Sequence, residues 1–133
     1  MKYFYSLMFM GLFVTVPLAQ ATTASDALLQ KYKSGGTNNF DVERGKKYWH
    51  REVKGDDGEM QSCSTCHGSD LSKNGKHHKT QKVIEPMAAS ANPERFTDEK
   101  KIEKCFKRNC NDTWGRECTT QEKGDILKYL LSL

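Results

Sequence analysis

The residues at positions 63 to 67 carry the clearest chemical pattern in the sequence. Cys63, Cys66 and His67 form a Cys-x-x-Cys-His motif, which is typical of covalent haem c attachment. Thiols three positions apart reach the two vinyl groups of a porphyrin, and the next residue places an imidazole beneath the iron. The motif predicts one covalent haem c per chain, held by Cys63 and Cys66, with His67 as the proximal iron ligand.

Two other uses of a Cys-x-x-Cys pair fit this chain less well. A thioredoxin-like redox pair lies in a βαβ context that the sequence does not suggest. Half of a zinc site would need a second, closely spaced pair of ligands. A zinc- or thiol-based binding module therefore remains only as a third alternative.

A second chemical feature is an asparagine on the apolar side of a helix predicted to begin at Thr97. Ile102, Cys105 and Phe106 form the stripe, and Asn109 follows on the same face. Burying an amide costs about 1–3 kcal/mol unless a partner satisfies it. Haem iron would be such a partner, so Asn109 is predicted as the distal ligand. The alternative is an asparagine that only bonds carbonyls at the end of the helix.

Other side chains compete for the distal position. Met87, after Pro86, would be the sulfur ligand of an electron-carrying cytochrome, or else a methionine that packs in the core. His77 and His78 lie among lysines, which favours a solvated loop, and His50 falls on the exposed side of its helix.

Three cysteines lie outside the haem motif. Cys110 and Cys118 are separated by residues that favour turns, so we predict a disulfide between them. Such a bridge would constrain the unfolded chain by roughly 2.5 kcal/mol and would hold the neighbouring Asn109 in place. Cys105 is left over, and we predict a buried free thiol.

The rest of the chain reads as helices separated by polar loops, with no convincing strand. A short helix is predicted over residues 25–33, and a second begins at Asp41 and runs to about Val53. Thr119 and Glu122 form a capping box for the last helix. Its apolar side comprises Ile126, Leu127, Leu130 and Leu131. The pattern predicts a single all-α domain.

The amino terminus has the features of a secretory signal peptide. An apolar run over residues 3–18 follows Lys2, and Ala19-Gln20-Ala21 resembles a cleavage site. The run is short of the roughly 20 residues that a membrane span needs. We expect residues 1–21 to be removed and residues 22–133 to form a soluble periplasmic domain, in a compartment where disulfides persist.

Composition narrows the possible partners. A formal net charge of +4, scattered along the chain, argues against nucleic acid. Basic residues gather at 73–82 and 100–108, where a solvated surface is the default interpretation. Either cluster would steer an acidic redox partner if it bordered the haem edge.

At 36% hydrophobic residues, a short chain benefits from a large apolar cofactor.

Several segments resemble the small family of oxygen-binding cytochromes c known as sphaeroides haem protein. The resemblance covers residues 41–49, the haem motif, residues 86–98 and, most specifically, residues 106–118. That family places an asparagine distal ligand immediately before the first cysteine of an eight-spaced disulfide. The related cytochrome c double-prime has histidine there. Cys105 departs from the family, which has a larger side chain at that position.

The resemblance implies a class I cytochrome c fold in which the first and last core helices cross near Gly45. It implies that Asn109 is the distal ligand and that Cys110 and Cys118 form the disulfide. It also implies a redox partner, a dihaem cytochrome c that receives electrons from a membrane cytochrome b.

The ligand chemistry suggests a redox-dependent site. An amide oxygen suits Fe(III) far better than Fe(II). We therefore expect Asn109 to leave the iron on reduction, so that dioxygen, nitric oxide or carbon monoxide can bind or be reduced, as in a terminal oxidase or reductase. The alternative is a plain electron carrier in which Met87 is the sixth ligand.

Overall fold

A computed structural model describes residues 23–37, 39–55 and 57–133. Within them the chain forms five α-helices, which are α1 (Ala24–Ser34), α2 (Val42–Trp49), α3 (Cys63–His67), α4 (Glu99–Trp114) and α5 (Thr120–Leu131). The predicted signal peptide, residues 1–21, lies outside this part of the chain. No described helix has both the length and the apolar character that a membrane crossing requires.

Helices α2 and α5 cross at Gly45. A Cβ atom at this position would overlap the backbone carbonyl of Asp125 and lie 2.9 Å from the Cβ of Tyr129. The carboxylate of Asp125 is fully buried and accepts hydrogen bonds from the Asp41 N–H and from Arg44 Nη2, both at 2.8 Å. The crossing near Gly45 is thus confirmed, and an ion pair between the buried Asp125 carboxylate and the partly exposed Arg44 fixes its register.

Helix α1 packs on α4 and α5 through one polar connection. The Tyr32 hydroxyl donates to Glu103 Oε1 at 2.9 Å, and Lys123 Nζ lies 2.8 Å from Glu103 Oε2. Apolar side chains from all of the longer helices form the core around this connection. They include Leu28, Tyr32, Trp49, Phe96, Ile102, Trp114, Ile126, Leu127 and Leu130.

The start of α4 differs by one residue from the sequence prediction. Asp98, rather than Thr97, caps the helix, because its carboxylate accepts the Lys101 N–H at 3.1 Å. The Thr97 hydroxyl instead donates to the Glu94 carbonyl at 2.8 Å, closing the short 3₁₀ turn (Pro93–Phe96) that precedes α4.

The structure also places the ends of two helices. Helix α4 continues beyond Asn109 to Trp114, and Gly115, with φ 64°, ends it in the left-handed conformation. Helix α2 ends at Trp49 and does not reach Val53. Asn109 therefore lies inside the helix and is not its C-terminal residue.

Two small hairpins flank α3, so the expectation of no strands was wrong. Strand β1 (Val53–Lys54) pairs antiparallel with β2 (Met60–Gln61), and β3 (Gly75–Lys76) pairs antiparallel with β4 (Val83–Ile84). Two-residue strands are too short to show a readable alternation in sequence. Strand β2 directly precedes the Cys-x-x-Cys-His helix in the chain, and Gly75 of β3 contacts that helix in space.

Candidate haem-binding site

The haem motif forms its own short helix, α3. Ser62 precedes it, and the Ser62 N–H donates to Thr65 Oγ1 at 2.9 Å, which fixes the first turn. Gly68, with φ 77°, ends the helix. Cys63 and Cys66 are therefore separated by about one helical turn, and neither thiol forms a disulfide.

The first thiol of the motif lies in an environment that suits neutral sulfur. Burial raises the pKa of Cys63 to about 11, because a thiolate would lose its hydration there. Cys63 also packs against the hydrophobic core. A thioether, which carries no charge, would be accommodated at this position.

His67 is held in the form that binds iron. Burial, helped by the nearby positive charge of Arg95, lowers the pKa of its imidazole to about 4. Its Nδ1 is buried without a hydrogen-bond partner among the described residues, and the Trp49 ring lies against it with centres 5.1 Å apart. Neutral imidazole is the metal-binding form. His67 and the two thiols therefore fit haem c.

Arg95 organises the segment that carries Met87. Its Nε donates to the Pro86 carbonyl and one of its terminal nitrogens donates to the Glu85 carbonyl, both at 2.7 Å. The Met87 N–H donates to the Leu71 carbonyl at 2.9 Å. Met87 is half-buried against the core, so its backbone is well fixed.

Asn109 is half-buried on α4, and its Oδ1 accepts a hydrogen bond from Arg108 Nε at 3.2 Å. Phe106, one turn earlier, packs against the core. Cys105 was predicted to be buried, but it is exposed. The side of α4 that packs against the core runs through the buried Ile102 and Cys110 and the partly buried Phe106, and it does not include Cys105. The apolar stripe is thus narrower than the sequence suggested.

Cys110 and Cys118 are joined in the predicted disulfide, with their Cα atoms 5.7 Å apart. The bridge begins at the residue directly after Asn109. Within the loop that it closes, Trp114 is buried and its ring is covered by the guanidinium of Arg51. The C-terminal half of α4 is therefore held by both a covalent bond and packing.

One hydrogen bond joins α4 to the chain that enters the haem motif. Gln61 Nε2, two residues before Cys63, donates to the Asp112 carbonyl at 3.2 Å. Asp112 is three residues beyond Asn109 in the same helix. This contact brings the haem motif close to the half of α4 that carries the predicted distal ligand.

The other three histidines lie in a loop and at an exposed helix end, as the sequence suggested, but one of them also contacts the haem motif. His50 is exposed at the end of α2. The rings of His77 and His78 stack 5.4 Å apart in the loop between β3 and β4. His78 Nδ1, however, lies 3.3 Å from Cys66 Sγ. The loop thus contacts the haem motif as well as solvent.

Sequence reasoning missed two residues next to the motif. Trp49 lies in the segment 41–49 that resembles the family, but it was given no role at the motif, and its ring lies against His67. Gly75 was not identified at all. Any side chain there would overlap the Cys66 carbonyl and come within 2.7 Å of His67 Cα. A lone glycine between two polar residues gave no signal of that contact.

The alternative of a zinc module finds no support in the described residues. Among them, no group of three or more His, Cys, Asp or Glu side chains converges in a way that could hold a metal ion.

Comparisons with known proteins identify relatives of this chain. Residues 35–130 match a family described as a domain of unknown function, DUF1924. The cytochrome c-type protein SHP of Cereibacter sphaeroides is 39% identical over 114 residues, which is 86% of this chain and 88% of that protein. Cytochrome c'' of Methylophilus methylotrophus is 38% identical over 88 residues, which is 66% of this chain and 61% of that protein.

Solved structures give the same result. The chain is similar to oxidised SHP, described as an oxygen-binding cytochrome c, with a TM-score of 0.76 and 38% identity over 85% of this chain and 100% of that chain. Oxidised cytochrome c'' from Methylophilus methylotrophus gives a TM-score of 0.73 at 31% identity, over 84% of this chain and 96% of that chain. The predicted class I cytochrome c fold is confirmed. The chain therefore belongs to the family of c-type cytochromes that includes SHP and cytochrome c'', proteins with covalently attached haem c.

Proposed function

We propose that this protein is a periplasmic monohaem cytochrome whose distal ligand, Asn109, leaves the iron on reduction and gives a small diatomic molecule access to the metal. The observation that carries the proposal is the position of Asn109. It is half-buried on α4 and directly precedes the Cys110–Cys118 disulfide, in a chain 39% identical to SHP.

The proximal side is assigned to α3. Cys63 and Cys66 would attach the haem through their sulfurs, and His67 would ligate the iron with a neutral imidazole. When bound, the haem supplies an iron atom that changes oxidation state and binds small ligands. Trp49 packs against the His67 ring and limits its rotation, which would keep a proximal ligand in a fixed orientation.

The distal side depends on a weak ligand. The Asn109 amide oxygen is a neutral, hard donor, which suits Fe(III) and holds Fe(II) poorly. Arg108 Nε, which donates to Asn109 Oδ1 at 3.2 Å, would be in place to hold the amide oxygen when it is not bound to iron. The amide N–H would then be free to donate to a small diatomic molecule. The disulfide would keep Asn109 near the site.

The relative described as an oxygen-binding cytochrome c supports dioxygen as one ligand, with nitric oxide and carbon monoxide as chemically similar ones. Electrons would come from a dihaem cytochrome c that is fed by a membrane cytochrome b. The predicted signal peptide, cleaved after Ala21, would deliver the protein to the periplasm. Whether the ligand is only bound or is also reduced depends on that electron supply.

A second candidate function is a plain electron carrier with Met87 as the sixth ligand. The half-buried position of Met87, with its backbone bonded to Leu71, favours it. A thioether binds both oxidation states of iron. Such a protein would stay six-coordinate when reduced and would not bind carbon monoxide.

Absorption spectra of the oxidised, reduced and carbon monoxide-treated protein separate these candidates. We expect a reduced form with an open position that binds carbon monoxide and no sulfur-to-iron charge-transfer band in the oxidised form. A reduced form that ignores carbon monoxide would refute the proposal.

Matched variants assign the ligand. Asn109→Ala should leave haem attachment intact and change the ferric spectrum, whereas Asn111→Ala, on the exposed side of α4, should not change it. Met87→Leu should leave the ferric spectrum unchanged as well. A ferric spectrum altered by Met87→Leu and untouched by Asn109→Ala would favour the electron carrier.

A further inference from the structure

Residues 73–84, which we call the basic hairpin, form an unusually one-sided charge cluster. The segment contains four lysines and no acidic residue. Lys73 pairs with Asp70 at 3.2 Å and Lys79 pairs with Asp57 at 3.5 Å. The other two lysines, Lys76 and Lys82, are exposed and form no salt bridge with any described residue.

The inner face of the basic hairpin lies directly on the haem motif. Gly75 is so close to the Cys66 carbonyl that only glycine fits without a shift of the backbone. His78 Nδ1 lies 3.3 Å from Cys66 Sγ, the sulfur assigned to haem attachment. A protein docked on the hairpin would therefore be separated from this edge of the cofactor by one layer of polypeptide.

The outer face combines charge with an apolar side chain. Lys76 and Val83 are cross-strand partners, so their side chains project from the same face of the hairpin. Val83 is 68% exposed. An exposed aliphatic side chain beside Lys76, which forms no salt bridge with any described residue, has the mixed character of a transient protein interface.

We propose that the outer face of the basic hairpin is the docking surface for an acidic, one-electron donor protein. The proposal rests on the proposed function, in which a partner protein supplies electrons. The donor would lose one electron and the ferric protein would gain it, with no bond formed or broken. Lys76, beside Val83 on this face, and the exposed Lys82, which is next to Val83 in the chain, would attract the acidic donor. Val83 would supply the apolar contact once the donor has docked.

The test uses the haem-loaded protein and reduced flavodoxin, an acidic one-electron carrier, as the probe. Two charge-reversal pairs are compared, Lys76→Glu/Lys82→Glu in the hairpin and Lys46→Glu/Lys47→Glu on the exposed side of α2. The two pairs change the net charge equally. Flavodoxin affinity is measured by titration calorimetry with oxidised flavodoxin, and the reduction rate by stopped flow.

We expect Lys76→Glu/Lys82→Glu to weaken flavodoxin binding and to slow reduction roughly tenfold at low ionic strength. We expect Lys46→Glu/Lys47→Glu to change the affinity and the rate by less than about twofold. High salt should remove the difference. Val83→Ser, which leaves the charge unchanged, should weaken binding at both salt concentrations. Reduction by a small uncharged hydroquinone should be equal in all variants, which also shows that each holds its haem normally.

Equal effects of the two lysine pairs would overturn the proposal, because net charge alone would then explain them. So would binding of the hairpin to phosphatidylglycerol vesicles with no change toward flavodoxin, since the surface would then face a membrane. Carbon monoxide binding to the reduced variants is measured separately. If the reduced, unmodified protein does not bind carbon monoxide, the proposed function is refuted, but the result on docking still holds.

Discussion

The guanidinium of Arg51 lies over the buried ring of Trp114, with its central carbon 4.0 Å from the ring centre. Arg116 approaches the same ring at 5.4 Å. Both arginines also pair with the carboxylate of Glu122, at 3.3 and 2.6 Å. Trp114 and Arg116 belong to the disulfide loop, residues 110–118. Glu122 therefore ties this loop, and the end of α4, to α5.

Glu122→Gln should destabilise the folded protein. The carboxylate is almost fully buried and also accepts the Thr119 N–H at 2.9 Å. Removing its charge leaves Arg116 and Arg51 without their partner, which should cost about 1–3 kcal/mol. Denaturant unfolding of the haem-loaded protein measures the loss. Glu117→Gln, an exposed change in the same loop, should cost less than about 0.5 kcal/mol. Equal losses would contradict the assignment.

The same carboxylate should make stability depend on acid. Burial opposes ionisation of Glu122, but hydrogen bonds from Arg116 and the Thr119 N–H outweigh it and lower its pKa to about 2. A carboxylate with a lowered folded pKa stabilises the protein above its unfolded value of 4.5, and the contribution is lost as the pH falls toward 2.

The stability difference between the unmodified protein and Glu122→Gln should therefore be largest above pH 4.5 and should shrink between pH 4.5 and 2. Unfolding free energies measured across this range give the difference directly. Other carboxylates titrate in both proteins and cancel in the subtraction. If the unfolding free energies of the two proteins stay a constant distance apart across this pH range, the partners of Glu122 do not lower its pKa.

Gly45→Ala should destabilise the crossing of α2 and α5. The new methyl group would overlap the Asp125 carbonyl and crowd Tyr129, at a cost of about 1–3 kcal/mol. Alanine also favours the helix by about 1 kcal/mol relative to glycine. The measured loss of stability would therefore be smaller than the steric cost itself. Thermal unfolding measures the change, with Lys46→Ala on the exposed side of α2 as the control. A stabilised Gly45→Ala protein would rule out the close approach.

Sequence patterns predicted the helices well because capping residues and apolar periodicity act locally. Asp41 and the Thr119–Glu122 box begin their helices as predicted. The end of α4 was not predicted, for a physical reason. Asn111 and Asp112 often end helices, but both lie on the exposed side of α4, where the backbone bonds continue until Gly115.

The surroundings of the haem motif could not be predicted, since they depend on contacts between distant segments. The motif itself specifies Cys63, Cys66 and His67. Nothing local shows that Gly75 must be small or that His78 reaches Cys66. These contacts arise when the β3–β4 hairpin folds back onto α3.

The disulfide should matter for both stability and ligand return. Cys110→Ala/Cys118→Ala removes the constraint on the unfolded chain, and we expect a loss of about 2.5 kcal/mol. We also expect the ferric spectrum to recover more slowly after rapid oxidation, because Asn109 would no longer be held near the iron. Stopped-flow absorbance follows this recovery. Cys105→Ala removes an exposed, unpaired thiol and should change neither quantity. Unchanged recovery in the double variant would show that the bridge does not position Asn109.

Asn109→Met should convert the protein toward an electron carrier. A thioether holds Fe(II) far better than an amide oxygen does, so the distal position should stay occupied after reduction. Carbon monoxide binding to the reduced protein should then slow by at least about tenfold, a difference of about 1.4 kcal/mol in the barrier. Flash photolysis or stopped flow measures this rate.

Asn111→Met tests whether the new sulfur acts through its position on α4. It places the same side chain two residues later on the exposed side, and carbon monoxide should bind at the unmodified rate. Slower binding in both variants would point to a general disturbance of α4. Unchanged binding in Asn109→Met would mean that residue 109 does not face the iron, because a methionine within reach of Fe(II) would coordinate it.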